Sequence, residues 1–149
     1  MDILLVEKDA LTRDHVKVGL QQVPDFTVTV GAGYRGVNEL RSQHFDCVFL
    51  GVDARDPESV ALLQHLRTFN QTVELFVMAS SRSAKDLASQ KAKFDIHSFL
   101  TTPVDPKEFF DFIGRFRERH AASVQGNSRS SLPRASKMSQ KDTGGMPQF

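Results

Sequence analysis

The chain has 149 residues, 40% hydrophobic and 25% charged, with a formal net charge of +1. That length suits one domain with a real buried core plus a tail, and near-neutrality excludes strong general attraction of the whole chain to nucleic acid or anionic membrane. The single cysteine, Cys47, excludes an internal disulfide, no apolar run approaches the roughly 20 residues of a membrane span, and no basic, apolar and cleavage regions follow in order at the start, so a cytoplasmic protein is expected.

Asp2–Val6 (DILLV) is a short apolar run of the kind that forms a strand buried on both faces of a parallel sheet. Leu11, His15, Val18 and Leu20 then recur at helical spacing, behind Asp9 as a predicted N-cap. Pro24 and Asp25 break the chain before Phe26–Val30 (FTVTV), which is β-branched and strand-like. Gly31 and Gly33 flank a turn, and a short helical pattern carries Val37 and Leu40. Cys47–Val52 (CVFLGV) is a second fully apolar run. Pro57 suits the first turn of a helix whose stripe is Val60, Leu62, Leu63 and Leu66. Val73–Met78 reads as a strand, Ala84–Lys93 as a weak helix and Ile96–Leu100 as a fifth strand. After Pro106, Phe109, Phe110, Ile113 and Phe116 make a strongly apolar helix face.

Five β/α alternations imply an α/β protein with a parallel sheet covered on both faces. The most economical arrangement is the flavodoxin-like doubly wound sheet, with strand order 2-1-3-4-5, which binds at the carboxyl ends of its strands. The positions just after Val6, Leu50, Met78 and Leu100 therefore hold the candidate site. Residues 1–120 form the expected domain. Residues 121–149 are rich in Ser, Gly, Gln and Asn, with Arg129, Arg134, Lys137 and Lys141 against Asp142, and are expected to be a disordered, mildly basic tail.

Three segments carry a resemblance. ILLVEKD (Ile3–Asp9), FDCVFLGVDARDP (Phe45–Pro57) and FLTTPVDPKEF (Phe99–Phe109) resemble, in order and spacing, the first, third and fifth strands of CheY-like response-regulator receiver domains of bacterial two-component signal transduction. In that family two carboxylates hold Mg²⁺ and an aspartate attacks the phosphoryl donor. A lysine and a Ser/Thr hydroxyl then bind the phosphoryl oxygens, managing the charge that builds on transfer. Here the acidic pair falls on Glu7 and Lys8, the phosphoacceptor on Gly51, the lysine on Thr102 and the hydroxyl on Ser80. Lys8 repels the metal that Glu7 alone would bind weakly. The resemblance thus implies a degenerate phosphorylation pocket made of Glu7, Lys8, Gly51, Asp53, Ser80 and Thr102, with no catalytic residue, metal or cofactor. Lys8 is expected to be an internal counter-ion to Glu7 or Asp53. A cis Thr102–Pro103 bond is also implied, because receivers often have one at the equivalent proline.

The expected function is that of a pseudo-receiver, a non-enzymatic module that binds a protein partner without phosphorylation. The resemblance places its contact face on the fourth helix, fifth strand and fifth helix, with Phe99, Phe109, Phe112 and Phe116 as candidates. No nucleic acid or membrane span is expected, and a homodimer stays open. Two alternatives also remain open. Asp53, two residues past Gly51 and four before Pro57, is a displaced acceptor in one; in the other, the basic tail makes the chain an adaptor to nucleic acid or membrane. The histidines at 15, 44, 65, 97 and 120 lack metal-ligand spacing, and Gly31 and Gly33 do not form a dinucleotide fingerprint.

Overall fold

The computed structural model describes the backbone of residues 1–131 and the side chains of residues 1–121. It divides into two units, Met1–Phe109 and the segment from Phe110 onward. The first holds a five-stranded parallel sheet in the order β2-β1-β3-β4-β5. The strands are β1 (Asp2–Val6), β2 (Thr27–Gly31), β3 (Cys47–Gly51), β4 (Glu74–Ser80) and β5 (Ile96–Thr102). The helices are α1 (Ala10–Gln21), α2 (Gly33–Asn38), α3 (Pro57–Phe69), α4 (Ser81–Leu87) and α5 (Pro106–Ser131), with single 3-10 turns following α2 and α4.

Strand position explains strand composition. The three inner strands are apolar on both faces because helices cover both: Ile3, Leu4 and Leu5 of β1 and Cys47 to Leu50 of β3 are fully buried. Phe49 and Phe76, directly paired across β3 and β4, stack with ring centroids 4.9 Å apart. Edge strand β2 is mostly half-buried or exposed, so its alternating Thr and Val match a strand covered less completely. α1 starts at Asp9, whose Oδ2 accepts the Thr12 N–H at 3.0 Å. α3 starts with Pro57 in its first turn behind Asp56, whose Oδ1 accepts the Glu58 N–H at 3.1 Å.

A glycine pair sets α2 down on the end of β2. A Cβ added at Gly31 would lie 2.6 Å from the Gly36 Cα, and one added at Gly36 would lie 2.7 Å from the Gly31 carbonyl carbon. No side chain fits between the two backbones, so α2 rests directly against the strand end. This places residues 33 and 34 beside the carboxyl ends of the strands, where the sheet topology puts the site.

α5 runs to Ser131, past residue 120 where the expected domain ends. Residues 132–149, with Arg134, Lys137 and Lys141, lie outside the described residues. In the segment from Phe110 onward, Phe112 and Phe116 stack at 6.0 Å and the Arg119 guanidinium lies 5.5 Å over the Phe116 ring. Among the described residues no helix is long and apolar enough to cross a membrane.

At the opposite end of the sheet from the site, Arg67 ties three segments together. Its guanidinium donates to the carbonyls of Phe94 (2.7 Å), Asp95 (2.8 Å), Val73 (2.9 Å) and Asn70 (3.2 Å). Partial burial pulls its pKa below the usual arginine value. The four carbonyls would otherwise be left without these donors at the entries to β4 and β5. Arg67→Met, which keeps the stem and removes every donor, is expected to lower unfolding free energy by about 2–4 kcal/mol. A urea titration that shows no loss would assign the entries to other interactions.

Candidate functional site

Parallel pairing brings the expected site residues to one end of the sheet. Val6 pairs with Leu50, Gly51 with Met78, and Ser80 with Thr102, so Glu7, Gly51, Ser80 and Thr102 all stand at strand carboxyl ends. A cleft of about 810 Å³ opens over them, and Lys8 and Asp53 also line it. This is the crevice of a doubly wound sheet, where chains leaving neighbouring strands turn to opposite faces.

The Glu7 carboxylate occupies the space above Gly51. A Cβ built on Gly51 would overlap that carboxylate, with Oε2 only 2.7 Å away. A side chain at position 51 and the observed Glu7 conformer therefore exclude each other. The Asp9 N–H donates to Glu7 Oε2 at 3.1 Å. Burial is the main cause of a carboxyl pKa above the usual glutamate value, and nearby Asp9 adds to it, against the lowering effect of backbone N–H groups and Lys8.

Lys8 corrects the sequence expectation. Its ammonium donates to Asp56 Oδ2 at 2.7 Å and to neither Glu7 nor Asp53, and its side chain is 77% exposed. The long stem carries the charge outward, where water solvates it better than the half-buried space beside Glu7. The contact raises the Lys8 pKa and lowers that of Asp56, each chiefly through this hydrogen bond. Asp56 was missed as a site residue. Its only sequence signal is its position before Pro57, which reads as a helix cap.

Asp53 lies in the loop beyond β3, and its carboxylate is already engaged. Oδ1 accepts the Arg55 N–H at 2.9 Å and the Ser83 hydroxyl at 3.3 Å. Ser83 Oγ in turn accepts the Ala54 N–H at 3.1 Å. The Ser59 hydroxyl accepts the Asp53 N–H and lies 3.0 Å from the Asp53 carbonyl that it donates to. Among the described residues Ser59 and Ser83 are the buried polar side chains, and sequence reasoning missed both. Together they fasten the β3–α3 loop to α3 and α4. Ser80 Oγ accepts the Ser83 N–H at 3.1 Å, so the retained hydroxyl caps α4. Thr102–Pro103 is cis, as the resemblance implied.

The expected contact face is also corrected in part. Phe109 and Phe116 are buried, at 4% and 2% exposure, and cannot serve as exposed anchors. Phe99 packs partly buried against the core, and Phe112 is half-buried. The large exposed aromatic of α5 is Phe110, at 76%. Gly19 makes room for Phe109, since a Cβ there would collide with its ring. Among the described residues no group of three or more His, Cys, Asp or Glu side chains is arranged to hold a metal ion.

No family model and no curated protein sequence matches this chain. Solved structures do, at low identity. A CheY-like receiver domain protein from Methanospirillum hungatei is 16% identical, with a TM-score of 0.65 over 82% of this chain and 97% of that one. The chemotaxis response regulator CheY4 of Vibrio cholerae is 16% identical, with a TM-score of 0.63 over 76% and 96%. A structure described as a novel family of redox sensors in the streptococci, evolved from two-component response regulators, is 17% identical, with a TM-score of 0.66 over 83% and 54%. The chain has the CheY-like receiver fold.

Two expectations follow from the Glu7–Gly51 contact. Gly51→Ala should push the Glu7 carboxylate, the far end of a flexible side chain, out of the space above position 51 at a cost of at most about 1 kcal/mol, and at no such cost when Glu7 is also alanine. Equal costs in both backgrounds, measured by denaturant titration, would remove the steric coupling. The second expectation concerns pH. A carboxyl whose pKa is higher folded than unfolded binds more protons when folded, so its ionisation weakens the fold as pH rises through that window. Glu7→Gln should therefore be more stable than the parent at neutral pH. The gap should close on acidification through and just above the ordinary glutamate range, and a gap independent of pH would refute the assignment.

Proposed function

We propose that this chain is a phosphorylation-independent receiver-fold module, not an enzyme, which acts in cytoplasmic signalling by binding a protein partner. The observation that carries this reading is the Glu7 carboxylate lying over Gly51, in the space a phosphoacceptor side chain would need. Gly51 offers no nucleophile. Lys8 is a cation at the edge of the cleft, and Thr102 supplies no cation for a phosphoryl group. Electrostatic stabilisation of phosphoryl transfer needs those groups. The fold supports a role in two-component signalling. In the streptococcal neighbour it is found in a redox sensor evolved from response regulators.

The fastening of Asp53 to Ser83 supports a module held in one conformation, with the β3–α3 loop and α4 joined by hydrogen bonds in the absence of any phosphoryl group. The partner face proposed for the first unit is α4 with β5, where Arg82, Lys85, Asp86, His97 and Thr101 are exposed beside half-buried Phe99. Such a face signals through abundance or location rather than through a covalent switch.

Incubation with acetyl phosphate and Mg²⁺, or with beryllofluoride and Mg²⁺, tests the reading. The intact mass and the amide spectrum should stay unchanged. A gain of one phosphoryl group that Asp53→Asn abolishes would overturn the proposal and establish Asp53 as a displaced acceptor.

A further inference from the structure

The cleft extends well past the residues that correspond to receiver chemistry. That chemistry draws on the ends of β1, β3, β4 and β5, whereas the far half of the cleft is walled by the end of β2 and the start of α2. Val30 and Tyr34 stand there, each 40% exposed, among the few large hydrophobic side chains the first unit leaves open to solvent. Between them Gly33, at φ +52°, has no heavy atom within 4 Å of where a Cβ would be. Leu62 of α3 lies with Tyr34 on the α2–α3 face of the sheet, whereas Val30, paired with Leu5, faces the other way. The Tyr34 ring is braced by His65, edge to face with centroids 5.0 Å apart, and His65 is itself held by Asn38 at 2.8 Å.

Position relates this wall to Glu7. Gly31 pairs with Val6, so the end of β2 lies one strand spacing, about 4.8 Å, from the residue that leads into Glu7. The close Gly31–Gly36 approach keeps α2 low and Tyr34 at the rim. An apolar and aromatic wall thus faces a half-buried carboxylate across one open volume. That volume, about 810 Å³, falls in the range of small-molecule sites, which pair an apolar lining with few placed polar groups. The charge on the cleft selects the head group. Among the described residues Lys8 forms an ion pair with Asp56 and Arg13 with Asp14, at 3.4 Å, whereas no cationic side chain makes a salt bridge to Glu7, Asp53 or Glu58.

We propose that the strand-end cleft is a binding site for a small organic amine, its apolar or aromatic body packed on Tyr34 beside Leu62 and its ammonium directed at Glu7. An ammonium there supplies the direct hydrogen-bond donor that Lys8, turned to Asp56, does not. A flat or aliphatic body covers the exposed wall and the face of the Tyr34 ring, which attracts cations as well as apolar groups. The inference goes beyond the phosphorylation-independent reading and stands or falls separately, because it concerns the β2–α2 half of the cleft and a different probe.

The test uses the full chain, isotope-labelled for amide spectra, and three probes. Phenethylamine carries both body and head, hydrocinnamate exchanges the ammonium for a carboxylate, and methylammonium keeps only the head. Phenethylamine should bind saturably at about millimolar concentration, as expected of so small a fragment. The amides that move should include Gly31, Gly33 and Gly51. Glu7→Gln and Tyr34→Ala should each weaken binding roughly threefold or more, while Tyr34→Phe should keep it. Hydrocinnamate or methylammonium binding as tightly as phenethylamine would overturn the proposal, as would shifts mapping elsewhere or no saturation with any probe. Phosphorylation of Asp53 would defeat the preceding reading and leave these outcomes informative.

Discussion

The arrangement of this protein's site depends on one exclusion: the Glu7 carboxylate and a side chain at position 51 cannot share the same space. In a doubly wound sheet the ends of β1 and β3 are neighbours, so residues 7 and 51 compete for a single volume. Glycine at 51 yields it to Glu7. The carboxylate group is still present at the centre of the crevice, but it comes from the β1–α1 loop. It lies partly out of water and stays protonated to higher pH than an exposed glutamate.

The groups around that centre are used internally. Ser80 caps α4, Asp56 both caps α3 and receives Lys8, and Asp53 accepts from the Ser83 hydroxyl and the Arg55 amide. A partly buried polar group without a partner is costly, and each of these carries its own hydrogen bonds within the chain. The contrast with Lys8 shows how solvation decides location. A lysine has enough reach to leave the interior, and the observed pair with Asp56 forms where water still screens it, so its contribution to stability is small.

The same sheet also explains why the cleft is larger than the chemistry it resembles. Two glycines let α2 rest directly on β2, and Tyr34 at its start lines the mouth of the crevice while staying 40% exposed. The result is one continuous volume with a carboxylate at its floor and an apolar wall at its side. Its carboxylate comes from the loop that follows β1 and its apolar side from α2 and α3.

The sequence by itself determined the fold. Apolar runs at 2–6 and 47–52 fit strands buried on both faces, and their alternation with helical patterns makes a parallel doubly wound sheet the most economical topology. It also located Glu7, Gly51, Ser80 and Thr102 at strand ends, since strand ends are visible as the limits of apolar runs. Tertiary structure decided the partners. Lys8 meets Asp56, 48 positions away, and Asp53 meets Ser83, 30 positions away. No local pattern encodes such pairs, because they depend on loop paths and on which side chain reaches water first. The Phe109 and Phe116 rings read identically to Phe110 in a list of aromatics, and only packing separates the two buried rings from the exposed one.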